Sequence, residues 1–216
     1  MTVDIASDLT EIEKDALAEI ANLGVSRAAN SLRQMLGEQV FLTVPNVQIV
    51  GRQAASDLIG RGSRSPRFVA VQQSFDGPFA GKALLIFPEE QSLELVRTIV
   101  GEQHSLEDVI DLEQEALAET GNVILNACLA TIANLLRRTM NMSLPAVIRG
   151  SGEALFGETA GNDNLVLFLY INFRTKERDI HGFIALLMDL PSITALKTIV
   201  TDYIRVIESG ADRPRP

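Results

Sequence analysis

One short phrase occurs twice in the chain, and that repetition constrains everything else. Residues 15–22 read D-A-L-A-E-I-A-N, with Asp15, Glu19 and Asn22; residues 115–122 read E-A-L-A-E-T-G-N, with Glu115, Glu119 and Asn122. The offset is 100 positions for each of these residues. It extends outward, because Leu42, Pro45 and Val47 return as Met142, Pro145 and Val147, and Thr98-Ile99-Val100 returns as Thr198-Ile199-Val200. The run from Gly81 is echoed from Gly182 with a slip of one or two residues, as an indel in a loop would produce. A repeat at a fixed offset decides how a chain is parsed. Here it predicts an internally duplicated domain with one candidate site per half.

Local signals define the elements of each half. Thr10-x-x-Glu13 is a capping-box pattern, and Ile12, Ala16, Leu17, Ile20, Leu23, Ala28, Leu32 and Met35 form a broad apolar arc at helical spacing. Gly37 is a C-cap for a helix ending near Leu36. Asp15, Glu19, Asn22 and Ser26 are spaced i, i+4, i+7, i+11. They share a wedge roughly 60° wide on the other side of that helix, so an exposed stripe is expected.

A strand is expected over residues 40–50, with Pro45 marking an edge or a bend, and a loop over 51–66. Strands follow at 68–75 and 81–87, joined by Asp76-Gly77-Pro78, and then a helix from Pro88 to Val100. The second half repeats the pattern: a helix at about 109–140, strands at 146–149, 164–173 and 180–189, and a helix opened by Pro191 and running to about 207. The expected fold is α/β, helix–strand–strand–strand–helix twice. Hairpin-length connections predict a largely antiparallel mixed sheet, packed with two long helices and pseudo-two-fold symmetric. Residues 1–208 are read as a single domain of two repeats, about 10–100 and 110–208, and 209–216 as a disordered tail.

Bulk properties narrow the function. A formal charge of −9 and a pI of about 4.8 argue against nucleic-acid binding, which needs a basic face. The single cysteine, Cys128, excludes an internal disulfide and fits a reducing compartment; it falls on the apolar side of its helix and is expected to be a buried small hydrophobe. The start carries no basic and apolar leader pattern. No apolar run is expected to reach the ~18–20 residues that span a bilayer. A cytoplasmic protein is expected.

Surface positions drift after a duplication, yet Glu19/Glu119 and Asn22/Asn122 are identical, and Ser26 is matched by another polar residue, Asn126. Asparagine is a poor helix former, so propensity does not explain it. A carboxamide is no strong base, but its oxygen accepts and its N–H₂ donates. That suits it to orient a water on an activated phosphoryl group, where positioning supplies most of the catalysis. A glutamate one turn away can dock on a cation of the partner. His104 and His181 lack ligand-spaced neighbours, so the chain is expected to bind no metal or cofactor of its own. A convex stripe cannot engulf a small molecule, which points to another protein as substrate.

Asp15-x3-Glu19-x2-Asn22 and Glu115-x3-Glu119-x2-Asn122 resemble the paired [Asp/Ser]-x3-Glu-x2-Asn signatures of the CheC/CheX/FliY chemotaxis phosphatases, and the resemblance covers nearly the whole chain. It implies an enzyme that hydrolyses the aspartyl-phosphate of a phosphorylated CheY-like response regulator. It further implies that Asn22 and Asn122 place the water, that Glu19 and Glu119 pair with a receiver lysine, and that the receiver supplies Mg²⁺. Asp15, Glu115, Ser26 and Asn126 would support the partner contact. Two signatures in one chain resemble CheC more than CheX, which carries one and dimerises, so a monomer is expected. FliY ends in a flagellar-motor module not seen here. The CheD deamidase is a further partner that the resemblance implies.

Glu115 departs from the family's usual Asp or Ser, which sets the second site apart. The alternative reading is a non-catalytic adaptor that binds a receiver, CheD or the flagellar switch. Arg52, Arg61, Arg64 and Arg67 face an acidic stretch, Glu153, Glu158 and Asp163, at the repeat offset; the Arg-rich stretch is read as a solvated mobile loop, with a partner-specific loop as the alternative.

Overall fold

A computed structural model describes residues 9–37, 39–61, 67–101, 105–135, 137–157, 164–176 and 179–209. Arg64, His104, Glu158, Asp163 and the tail beyond Ser209 lie outside the described residues. Thr10 and Glu13 form the expected capping box: the Thr10 N–H donates to Glu13 Oε2 at 2.8 Å, and the Glu13 N–H donates to Thr10 Oγ1 at 3.3 Å. They open α1 (Glu11–Leu36), which Gly37 closes in the left-handed conformation at φ 69°.

The chain continues through β1 (Phe41–Gly51), α2 (Arg52–Gly60), β2 (Phe68–Asp76), β3 (Gly81–Pro88) and α3 (Glu89–Val100). The second half comprises α4 (Leu106–Leu135), β4 (Asn141–Met142), β5 (Ala146–Gly150), α5 (Gly152–Phe156), β6 (Asn164–Arg174), β7 (Asp179–Asp189) and α6 (Leu190–Glu208). Asp189 caps α6 by accepting from the Ser192 N–H, with Pro191 in the first turn.

The seven strands form one sheet in the order β1-β6-β7-β3-β2-β4, with β5 also paired to β2. Every pairing among the described strands is antiparallel, so the sheet is not mixed. At the repeat offset β1 answers to β4 and β5, β2 to β6, and β3 to β7. The order then reads alike from either edge, with β3 and β7 paired at the centre. Each half lends its first strand to the other half's hairpin: β1 pairs β6, and β5 pairs β2.

Alternation along the strands builds two apolar layers. Val69, Val71, Phe75, Leu85, Phe87, Leu167, Phe173 and Ile184 face α1, α3, α4 and α6 in the larger core. Phe68, Ala70, Leu84, Ile86, Val166 and Phe168 face the opposite way, against Ala55 and Ile59 of α2 and Leu155 and Phe156 of α5. Fully burying one such Val, Leu, Ile or Phe is worth roughly 1.5–3 kcal/mol.

Three expectations need correction. Residues 52–60 are helical rather than loop: Ala55 and Ile59, four apart, are both buried on the sheet, and that packing outweighs the loop-like composition. The helix α5 was likewise hidden between two strands; it packs on α2 so closely that a Cβ on Gly152 would sit 2.5 Å from Ser56 Oγ. The second long helix begins at Leu106, behind a Ser105/Asp108 capping box, and ends at Leu135 rather than near Met140. Arg137, at φ 51°, turns the chain out.

By length and composition α4 could cross a membrane, contrary to the expectation from apolar runs, but 56% of the qualifying window is buried inside the protein. Cys128 on this helix is buried as expected, and burial pushes its thiol up to about 12.

Glu13 ties the start of α1 to α6. Burial alone would raise its pKa. Hydrogen bonds from the Thr10 N–H, the Thr201 hydroxyl and the Thr10 hydroxyl, with the charge of Lys197, outweigh burial and lower it. A depressed carboxylate pKa stabilises the fold above the unfolded value, and that stability is lost as pH falls through the folded one. The melting-temperature gap between wild type and Glu13→Gln is therefore expected to be full at neutral pH and to close below about pH 4.5. A gap that stays constant to acid pH would contradict this account.

Candidate functional site

The two site helices touch each other and lie on the same face of the sheet. A Cβ on Gly24 of α1 would meet the Cα of Cys128 in α4 at 2.8 Å. Asp15, Glu19, Glu115 and Glu119 are exposed, as expected, and make no hydrogen bond or ion pair among the described residues. The asparagines are different. Asn22 and Asn122 are half-buried in seams between helix and strand, so the stripe is not exposed along its whole length. Each seam has its own chemistry.

In the first seam Asn22 is bound to the main chain of β1. Between Thr43 and Asn46 the β1–β6 register gains a residue, a bulge at Pro45 that leaves Val44 outside the ladder. The Val44 N–H donates to Asn22 Oδ1 at 2.8 Å, and Val44 O accepts from Asn22 Nδ2 at 2.9 Å. The same Nδ2 donates to Ala18 O at 2.9 Å. Both amide hydrogens are thus committed, and a single acceptor lone pair remains. Ser26 is exposed and makes no hydrogen bond to Asn22. Asn22→Ala would strip the Val44 bulge of its partner, and a melting curve is expected to show a loss of about 1–3 kcal/mol. An unchanged melt would mean that water replaces the carboxamide without cost.

In the second seam the carboxamide is held by its oxygen. Asn122 Oδ1 accepts from Gln73 Nε2 at 3.1 Å and from Asn126 Nδ2 at 2.7 Å. Its N–H₂ group donates to nothing among the described residues. Gln73 is buried, on β2, and also donates to Ser143 O at 3.0 Å. Ser143 is clamped to β2: its N–H donates to Ser74 O, and its hydroxyl oxygen accepts from the Ser74 N–H, both at 2.9 Å. Gly121 lets α4 approach, since a Cβ there would lie 2.5 Å from the Val71 side chain. Leu144, the offset partner of buried Val44, is 89% exposed between β4 and β5. No bulge main chain therefore reaches Asn122.

These geometries differ from the symmetric pair that the sequence suggests. Asn22 offers an acceptor, whereas Asn122 offers donors. The structure brings Asn126 to Asn122 and adds Gln73, Ser143 and Val44, which the repeat did not reveal. Gln73 left one readable signal. Its parity with Val69, Val71 and Phe75 puts a polar residue on the core side of a strand. Val44 acts through its backbone and leaves no such signal.

The CheC-like family matches residues 12–49, the span that holds Glu19, Asn22 and Val44. The chain is 22% identical over 203 residues to the CheY-P phosphatase CheC of Bacillus subtilis (strain 168), covering 90% of this chain and 96% of that one. The chain thus resembles CheC along most of its length. It is also 23% identical over 142 residues to the flagellar motor switch phosphatase FliY of the same organism, covering 65% of this chain and 36% of that longer one. The structure of Thermotoga maritima FliY superposes with a TM-score of 0.70 at 18% identity, over 90% of this chain and 98% of that one, which shows a shared fold. Both curated relatives carry phosphatase names.

Beyond the asparagines, the two half-buried ends of the helices are matched in kind. Glu113, one hundred positions after Glu13, is buried and pairs with Arg149 of β5 and with the Ser92 hydroxyl of α3. Each long helix is thus pinned near its start by a buried glutamate, which fixes the depth at which the Glu/Asn turns lie. His181 stacks on Tyr170, and its Nδ1 lies 2.9 Å from Asn172 Oδ1. It sits on β7, and no group of three metal-ligating residues occurs among the described residues.

Proposed function

We propose that this chain hydrolyses the aspartyl-phosphate of a CheY-like response regulator. The observation that carries the reading is the Asn122 carboxamide, pinned by its oxygen with its N–H₂ uncommitted, one turn from exposed Glu119. A water that accepts from this N–H₂ is held in place with a lone pair free for phosphorus. Attack forms a bond from the water oxygen to phosphorus and breaks the phosphorus–oxygen bond to the aspartyl group. The products are inorganic phosphate and a free carboxylate, with the water's protons passing to phosphate and solvent. Positioning of this kind supplies most of the catalysis in phosphoryl transfer.

The remaining roles follow from exposure and charge. Glu119 and Glu19 are free to pair with a receiver lysine. Mg²⁺ arrives bound in the receiver, as part of the substrate. Asp15, Glu115 and Ser26 border the docking surface. The relatives named CheY-P phosphatase and motor switch phosphatase support this substrate class.

The adaptor reading has one observation in its favour: Asn22 has spent both amide hydrogens on Ala18 and Val44, so the first half is better built to bind than to donate. Decay of a phosphorylated CheY-type receiver, with and without the chain, separates the two. Acceleration by wild type, lost in an Asn22→Ala/Asn122→Ala double variant that still binds the receiver, supports the phosphatase. Binding without acceleration by wild type supports the adaptor.

A further inference from the structure

Gln73 is a buried amide on the apolar side of β2, where a hydrophobic residue would pack as well and need no partner. It is 1% exposed, and its Oε1 has no hydrogen-bond partner among the described residues. A buried polar atom left unpaired is costly, so the residue is poorly explained by stability. Its other end is fully used. One Nε2 hydrogen goes to Ser143 O and the other to Asn122 Oδ1.

This order of bonds fixes directions. A main-chain carbonyl can only accept, so Ser143 O dictates that Gln73 presents Nε2 rather than Oε1 to this corner. Nε2 then dictates that Asn122 presents Oδ1 inward and N–H₂ outward. The Asn126 N–H₂ adds a second donor to the same oxygen. Ser143 is itself locked to β2 through Ser74, so the relay starts from rigid backbone.

We infer that Gln73 is a positioning residue of the second centre, which sets the orientation of the Asn122 carboxamide toward the phosphoryl group. The inference rests on the phosphatase reading and deepens it. The first centre differs: there the Val44 N–H sets the orientation, and Val44 O and Ala18 O together take the amide hydrogens whose counterparts Gln73 leaves uncommitted on Asn122.

The test is a set of variants assayed for receiver dephosphorylation across receiver concentrations, each with a melting curve. Gln73→Met keeps length and volume and removes both donors. It is expected to lower the saturated rate about 10-fold, with the half-saturating receiver concentration unchanged and at most a small fall in melting temperature, since Ser143 O and Asn122 Oδ1 lose a donor. In an Asn122→Ala background the same substitution is expected to have no further effect, since Gln73 acts through Asn122. Asn126→Ala, which removes the second donor from a half-buried site, is expected to show a smaller loss that also vanishes in that background. It serves equally if Gln73→Met fails to fold. Full activity in both single variants, or losses as large without Asn122 as with it, would overturn the role of Gln73 while leaving the phosphatase reading intact. No acceleration by wild type would overturn the phosphatase reading, and the inference with it.

Discussion

Replacing Asn122 with aspartate is expected to lower receiver dephosphorylation at the second centre on the order of 10²-fold, the cost of one lost donor at a phosphoryl or acyl centre. The substitution is more informative than alanine. An aspartate keeps two oxygens for the Gln73 and Asn126 donors, so the clamp survives, and only the outward N–H₂ disappears. Its charge also repels the phosphoryl oxygens. Asn122→Ala is expected to cost a similar factor in rate, but it also leaves Gln73 Nε2 with a lost acceptor, so a loss of about 1 kcal/mol accompanies it. Single-turnover decay of the phosphorylated receiver, read beside a melting curve for each variant, checks both. Retention of activity by Asn122→Asp would show that the N–H₂ does not act on the water. Asn22→Asp, by contrast, attacks the fold first, because it places a carboxylate against Val44 O where an amide hydrogen had been.

Gly121→Ala is expected to be among the most damaging single-methyl additions on α4. The new Cβ would lie 2.5, 2.5 and 2.7 Å from the Cβ, Cγ1 and Cγ2 of Val71, which is 1% exposed and has nowhere to go. Overpacking of this kind costs about 1–3 kcal/mol and sometimes more, which for a chain of this size corresponds to about 2–4 °C in melting temperature per kcal/mol. Relief requires α4 to lift from β2, which draws Asn122 away from Gln73. A fall in dephosphorylation rate is therefore expected on top of the destabilisation, with receiver binding through exposed Glu119 preserved. The first half provides the control. Its counterpart, Ala21, is buried and already carries the methyl group, so Ala21→Gly is expected to cost about 1 kcal/mol from helix propensity with no clash. A wild-type melt for Gly121→Ala would show that the helix can shift without loss.

Much of the architecture was legible in short stretches of chain. The Thr10/Glu13 box, the Gly37 cap and Pro191 in the first turn of α6 are effects of nearest neighbours and periodicity, complete within a few residues. The Glu/Asn spacing belongs to the same class, since a helix places residues three apart on neighbouring ground whatever surrounds it. That is why the glutamates were found exposed where the spacing put them. α2 and α5 were hidden because their helicity depends on apolar contacts of only two or three residues each with the far face of the sheet.

The difference between the two centres was not legible, although the two phrases are nearly identical. It arises from partners far along the chain: Val44 is 22 residues from Asn22, and Gln73 is 49 from Asn122. Which partner each asparagine meets depends on a one-residue bulge at Pro45, the absence of a Cβ at Gly121, and the exchange of first strands between the halves. Spacing along a helix determines which way a carboxamide points. Whether its oxygen or its nitrogen is left over depends on which backbone or side-chain group packs against it, and packing brings those groups together only once the sheet has closed.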